Sequence, residues 1–328
     1  MSGLLGLVQL FILSATLLAV LTAILVALAY GFLRPRMNQV GPARRARLLT
    51  ALSVAPLCVG VLQTGLFFLP GVLGVVWPQM DHCLSHTTAA HAHLCFVHPP
   101  SAAGAWLGWV IVLGAVVGLG RPLVKDLLRT WRSARLVRQL VRTAPPGDDD
   151  GVRLVSSERP IAAATAVGSE VIVSTSLVDA LSPELLSAVV AHERAHVERR
   201  DPWRRMCAML LSAGHLPGTR ERLLADLELA CEQASDETAA ETIGDRVQMA
   251  QALLAVARLL PSAPQSPVAI GFGGSSIAAR VDALLAPPVR EGRAMTEVAW
   301  LVLATASSVA SAGPGHHVVE HFIALLGR

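Results

Sequence analysis

The sequence predicts a mainly α, polytopic membrane protein with four transmembrane helices and a soluble α+β domain between the third and fourth. Three observations predict it. Residues 1–33, 48–80 and 101–120 carry no charge, and 298–315 is a weaker fourth run; each approaches the roughly 20 apolar residues that a spanning helix needs. Only 16% of the 328 residues are charged and 53% are hydrophobic, where a soluble domain has about 25% charged residues. Between the third and fourth runs the pattern changes to short β-branched stretches and long amphipathic ones, as a folded polar domain requires.

Transmembrane helix 1 is placed at 1–33. It has no basic start and no convincing small-residue exit site, and it is longer than a leader, so it is read as a retained anchor. A basic loop follows at 34–47, with Arg34, Arg36, Arg44, Arg45 and Arg47. Helix 2 is placed at 48–78, an outside loop at 79–100 and helix 3 at 101–120. The segment 121–147 is a basic helix and linker, carrying Arg121, Lys125, Arg129, Arg132, Arg135, Arg138 and Arg142. The soluble domain is set at 148–292, helix 4 at 294–315 and a short tail at 316–328. Lys and Arg collect on the cytoplasmic side of a membrane, and loop 79–100 has neither. The expectation is a multi-pass protein of the cell membrane, N-terminus outside and soluble domain cytoplasmic.

The cysteines fit this topology. Cys83 and Cys95 flank the outside loop, where a disulfide between them would persist, while Cys207 and Cys231 face a reducing compartment. The basic residues stand beside spans, where anionic lipid headgroups are their partners; the net charge of +3 gives no reason for direct nucleic-acid binding. Self-association is left open. The outside loop also holds His82, His86, His91, His93 and His98, and the tail His316, His317 and His321. A metal or pH sensor is one reading of them; a polar loop closed by a disulfide is the simpler one. Trp77, Trp106 and Trp109 fit an interfacial aromatic belt.

Within the soluble domain, Val152–Val155 and Val171–Ser174 read as strands, with 162–167 a candidate third. Ser182-Pro183-Glu184 is a helix start, and the helix should run through His196 and end before Pro202. A second long helix is expected from about Thr219 to Ile243, closed by Gly244. A third covers roughly 246–260. The stretch 261–276 is rich in Pro, Gly and Ser and reads as a loop; its Gly271–Ser275 run lacks the lysine of a phosphate loop. Ile277–Leu285 is a short amphipathic helix.

The chemistry lies in the first long helix. His192-Glu193-Arg194-Ala195-His196 spells H-E-x-x-H, which puts both imidazoles on one helical face, able to reach one Zn²⁺, with Glu193 as general base. Zinc would acidify a water and polarise a carbonyl. A catalytic zinc needs a third protein ligand. The second long helix offers Glu228, Glu232 and Asp236 at four-residue spacing. Glu232 is assigned the metal, with Glu228 its competitor, and Asp236 is assigned a hydrogen bond from the outer nitrogen of a ligand histidine. Cys231 faces about 100° away from Glu232 and is read as a buried small hydrophobe. His215 is the one candidate for stabilising the oxyanion, against the plainer reading of a solvated loop histidine.

Residues 121–285 resemble the cytoplasmic domain of the beta-lactam-sensing, signal-transducing membrane metallopeptidases. The likeness rests on His192–Pro202 with its basic-Asp-Pro end, on Glu232 and Asp236, and on Ile277, Arg280, Val281 and Leu284. The same pattern, with 163–168 followed by 171–176, is similar to the CAAX-type and heat-shock membrane proteases, which are gluzincin relatives. The resemblance implies a zincin-like zinc endopeptidase that cuts a protein or peptide substrate, such as a winged-helix repressor, or itself. The antibiotic sensors carry a penicillin-binding domain after the last span. This chain ends at Arg328, soon after it, so beta-lactam sensing of that kind is not expected. A quality-control protease and a non-catalytic metal-binding sensor or scaffold are the alternatives; a structural metal site has no use for Glu193.

Overall fold

A computed structural model describes residues 2–77, 106–144, 151–165, 170–259, 269–271, 276–287 and 306–318. Three long helices come first: α1 (Ser2–Met37), α2 (Pro42–Val76) and α3 (Trp106–Thr143). Strands β1 (Val152–Val155), β2 (Ala162–Thr165) and β3 (Val171–Ser174) follow, then helices α4 (Thr175–Ala180), α5 (Pro183–Glu198) and α6 (Asp201–Leu211). A 3₁₀ turn (Ser212–Gly214) leads to α7 (Pro217–Ile243), α8 (Arg246–Leu259), β4 (Ala269–Gly271) and α9 (Ile277–Leu285). Residues 306–318 are helical apart from a turn at 311.

The basic stretch 34–47 is not a loop. Arg34 and Arg36 lie in the last turn of α1, and Arg44, Arg45 and Arg47 lie in the first turns of α2, with only a tight turn between the two helices. Gly41 precedes Pro42 at the start of α2, and Pro fits there because its missing N–H would be unpaired in any case. The apolar and basic parts of α3 form one continuous helix. Among the described residues, α1 and α2 are long and apolar enough to cross a bilayer, with mean hydropathies of 2.7 and 1.9. Only 28% of the apolar window of α1 is buried, so its large side chains face outward rather than into a core. Residues 294–305 and the loop 79–100, with Cys83, Cys95 and five of the histidines, lie outside the described residues.

The two helices approach closely. A Cβ placed on Gly60 would stand 2.5 Å from the carbonyl oxygen of Ala15 and 3.0 Å from the Cβ of Ala19. Small residues permit such contact where lipid offers no hydrophobic drive for association.

The sheet order is β1-β3-β2-β4, with β1 parallel to β3 and both β2–β3 and β2–β4 antiparallel. β2 is a run of alanines and a threonine, all buried, so α5 can rest close against it. β4 corrects the expectation of a loop over 261–276. Three residues at a sheet edge, pairing Ala163 with Gly271, are too short to show any alternation in sequence.

Ser182 caps α5 as its sequence requires, its hydroxyl accepting from the Leu185 N–H at 3.4 Å. After α5 the chain turns sharply through Arg200, whose φ of 56° is left-handed. Asp201 and Pro202 then open α6, a helix that sequence reading missed by taking Pro202 only as a stop. α7 ends at Gly244, with φ 76°.

Two hydrophobic clusters hold these parts. One joins β1–β3 to α5, α7, α8 and α9 through Val171, Leu177, Val189, Met249, Leu253 and Leu284. The other joins α1 and α2 to α6 and α7, through Tyr30, Ala46 and Leu49 on one side and Ala208, Leu223, Leu227 and Ala230 on the other. Gly60→Val should therefore force α1 from α2, destabilising the protein by about 1–3 kcal/mol; a lowered melting temperature in detergent would show it, and an unchanged one would refute the close contact.

Candidate metal centre

α5 and α7 lie side by side, and His192, Glu193, His196, Glu232 and Asp236 meet between them, all buried. His192 Nε2 and His196 Nε2 are 3.1 Å apart. Glu232 Oε2 is 3.6 Å from the first and Oε1 3.6 Å from the second. Four tetrahedral ligands at 2.0–2.1 Å from zinc stand about 3.3 Å from one another. The three donors thus have the spacing of three corners of a zinc tetrahedron.

The outer nitrogens fix the tautomers. His192 Nδ1 is 2.9 Å from Asp236 Oδ1, and His196 Nδ1 is 3.1 Å from Asp201 Oδ2 and 3.0 Å from Ser235 Oγ. When the outer nitrogens keep their protons beside these carboxylates, each Nε2 is left to present its lone pair to the common point once a metal displaces any proton there. Asp201 is itself held by Arg204 and by Arg199 Nε at 3.3 Å. Arg280 of α9, fully buried, reaches Glu232 Oε2 at 2.9 Å and Asp236 at 2.6 and 2.8 Å.

Charge tests the fit of a metal. Glu193, Asp201, Glu232 and Asp236 are buried, while Arg280 is the one fully buried Arg or Lys among the described residues. Buried carboxylates without counter-charge are costly. A dication at the three-donor point would offset the excess. Among the described residues no side chain hydrogen-bonds to either oxygen of Glu193; the backbone of Ala164 in β2, both imidazoles and Glu232 act on it. A buried carboxylate left open in this way suits a group that exchanges protons with something bound beside it.

Protonation follows the same charges. Burial pushes the Glu193 carboxyl up to about 6, against the pull of the two imidazoles. Burial disfavours a charged His196, but Glu232 and the bond to Asp201 outweigh it and hold the imidazole up to about 10 without metal. Burial also opposes the charge on Glu232, yet Arg280 and His196 keep its carboxyl well below the usual range.

Some sequence candidates lie elsewhere. Glu228 pairs with Arg205 at 3.2 Å and is not in the three-donor group. His215 is buried rather than a solvated loop histidine, and its Nε2 donates to the Leu52 carbonyl at 3.0 Å, which ties the turn after α6 to α2 instead of offering a donor to an oxyanion. Cys231 is buried among the residues that seat α7 on α1 and α2, and burial pushes its thiol up. Asp201, Ser235 and Arg280 are the site residues that sequence reasoning did not assign. Asp201 and Arg280 stood inside the quoted motifs, but only folding shows what they hold.

A two-histidine, one-glutamate donor set with an open glutamate beside it is the centre of a zinc metallopeptidase. Residues 129–225 match the model of peptidase family M48, whose members are zinc metallopeptidases. The matched stretch runs from the basic part of α3 into α7 and includes the H-E-x-x-H helix; it ends before Glu232. No curated protein matches the chain. The match supports peptidase chemistry and does not reach beta-lactam sensing.

Two predictions follow from this geometry. Asp201→Asn and Asp236→Asn should each weaken zinc binding by about 10–100-fold, measured by competition with a chelator. Zinc must also displace the proton that Glu232 and Asp201 hold on His196. Its apparent affinity should thus rise about tenfold per pH unit for each proton released, up to about pH 10. A flat profile between pH 6 and 8 would contradict this arrangement.

Proposed function

We propose that this protein is an integral membrane zinc endopeptidase whose general base is Glu193, and that it acts in regulatory proteolysis of a cytoplasmic repressor-like protein or of itself. The observation that carries the reading is the buried Glu193 carboxylate, without a side-chain hydrogen bond among the described residues, beside the donors His192, His196 and Glu232. Zinc, held by those three, supplies an acidified water and a Lewis acid for the peptide carbonyl. Glu193 accepts a proton at its open carboxylate and delivers it to the leaving amine, a transfer worth about 10²–10⁴-fold in rate. Asp236 and Asp201 keep both imidazoles oriented, and Arg280 keeps Glu232 and Asp236 ionised.

Membrane location is supported by the two long apolar helices and by their outward-facing side chains, among them Leu25, Leu28, Phe32 and Leu62. Orientation is supported by contact: Arg34 and Arg45, at the basic ends of α1 and α2, touch α7. The positive ends and the peptidase site lie together, which by the distribution of Lys and Arg is the cytoplasmic side. The four-span layout and a Cys83–Cys95 disulfide belong to the same proposal; residues 79–100 and 294–305, on which they rest, lie outside the described residues.

Glu193→Ala should retain zinc and lose cleavage by at least about 10²-fold; loss of metal together with activity would contradict the role of base. New peptide termini should be compared between cells expressing the wild type and this variant. A single regulator, or a cut in this chain, is expected. A broad spread of membrane-protein fragments would replace regulation by quality control, and no difference would favour a non-catalytic sensor.

A further inference from the structure

α7 serves two neighbours at once. Glu232, Ser235 and Asp236 face the histidines, while Asp226, Ala230 and Gln233 face α1 and α2. Gln233 follows Glu232 directly and is 8% exposed. Its Oε1 accepts from Arg45 Nη2 of α2, and its Nε2 donates to the carbonyl of Ala279 at 2.9 Å. Ala279 precedes Arg280, the cation that holds Glu232 and Asp236. One amide thus connects the cytoplasmic end of α2 to the third donor and to its counter-ion. A glutamine suits this place because it accepts and donates at once; Glu offers no N–H and Lys no acceptor.

We propose that Arg45 and Gln233 are positioning residues, through which the cytoplasmic end of α2 sets the placement of Glu232 and Arg280 at the zinc site. The inference rests on the zinc peptidase reading above and adds a route into the site from the membrane helices. A shift of α2 relative to α7 then moves a metal ligand and its counter-ion together. Displacement of about 1 Å in such a constellation can cost about 10²-fold in rate.

A second tie stands nearby and serves as the control. Asp226 of α7 accepts from Arg34 Nε at 2.7 Å and Nη2 at 3.0 Å and also from Tyr30. It seats α7 on α1, but its carboxylate also attracts Arg45, so the control variant is made at Arg34 and leaves Asp226 in place.

The test uses the full chain in detergent or nanodiscs, loaded with zinc, and reads release of zinc into a chromogenic chelator. Arg45→Ala and Gln233→Leu should each speed release on the order of tenfold. The double variant should be no faster than Gln233→Leu alone, because both act through one relay. Gln233→Glu keeps an acceptor for Arg45 but loses the donor to Ala279, so it should release zinc at a rate between wild type and Gln233→Leu while folding normally. Arg34→Ala removes the tie to α1 while keeping Asp226; it should lower the melting temperature and leave zinc release within about twofold of wild type. Wild-type release from Arg45→Ala and Gln233→Leu, or equal acceleration by Arg34→Ala, overturns the relay and leaves the peptidase reading standing. A wild-type protein that binds no zinc overturns both.

Discussion

The structure depends on how four buried carboxylates are compensated. Arg280 answers part of the charge, Arg199 and Arg204 reach Asp201 from the rim, and the imidazoles of His192 and His196 take the rest. Without metal, those imidazoles are pulled toward the charged form, His196 up to about 10. The acids therefore do two opposed things. They raise the proton affinity of the metal ligands, and they make the pocket attractive to a dication. At neutral pH the second effect must exceed the first for the site to load, and the 3.1–3.6 Å donor spacing is what gives zinc that advantage.

The part of the site that was legible in sequence is the part that helical periodicity carries. His192 and His196 share a face, and so do Glu232 and Asp236, because i and i+4 always do. The pairing of the two helices was inferred from the needs of zinc rather than from any packing signal. Asp201 was not assigned because the left-handed turn at Arg200 brings it back beneath His196, and no periodicity runs across such a turn. Arg280 is 44 residues from its partner Asp236, and only the packing of α9 on α7 joins them. The strands at 152–155 and 171–174 were legible from β-branching, whereas β4 exists only because β2 offers it an edge. α6 was missed for a different reason: a proline read as a terminator was the first turn of the next helix.

Domain boundaries raise the same issue. The Pro-Pro-Gly-Asp stretch near 145–151 marks a change in composition, and the soluble domain was begun there. A domain is better defined by its core. One hydrophobic cluster does lie wholly after that point. The second does not: Tyr30, Ala46 and Leu49 pack with Leu223, Leu227 and Ala230. Residues of the first two helices are therefore part of what keeps the metal-binding helix in place. Stripping α1 and α2 away would expose Leu223 and Leu227, both fully buried, on the helix that carries Glu232.

That shared seam explains why polar residues recur along it. A purely apolar seam between α7 and the first two helices would hold α7 at a distance but tolerate sliding by a turn, since Leu49 and Leu227 can repack against similar neighbours. Arg34 with Asp226, and Arg45 with Gln233, each work in one register only. Arg34 is half exposed, so its pair with Asp226 guides the register only weakly; Arg45 and Gln233 are more buried, and misalignment there leaves polar groups unpaired away from water at considerable cost. Their contribution here is to fix where α7 stands along α1 and α2. A metal site whose third donor lies on α7 requires that register to be fixed to within a fraction of an ångström, which hydrophobic packing alone does not supply.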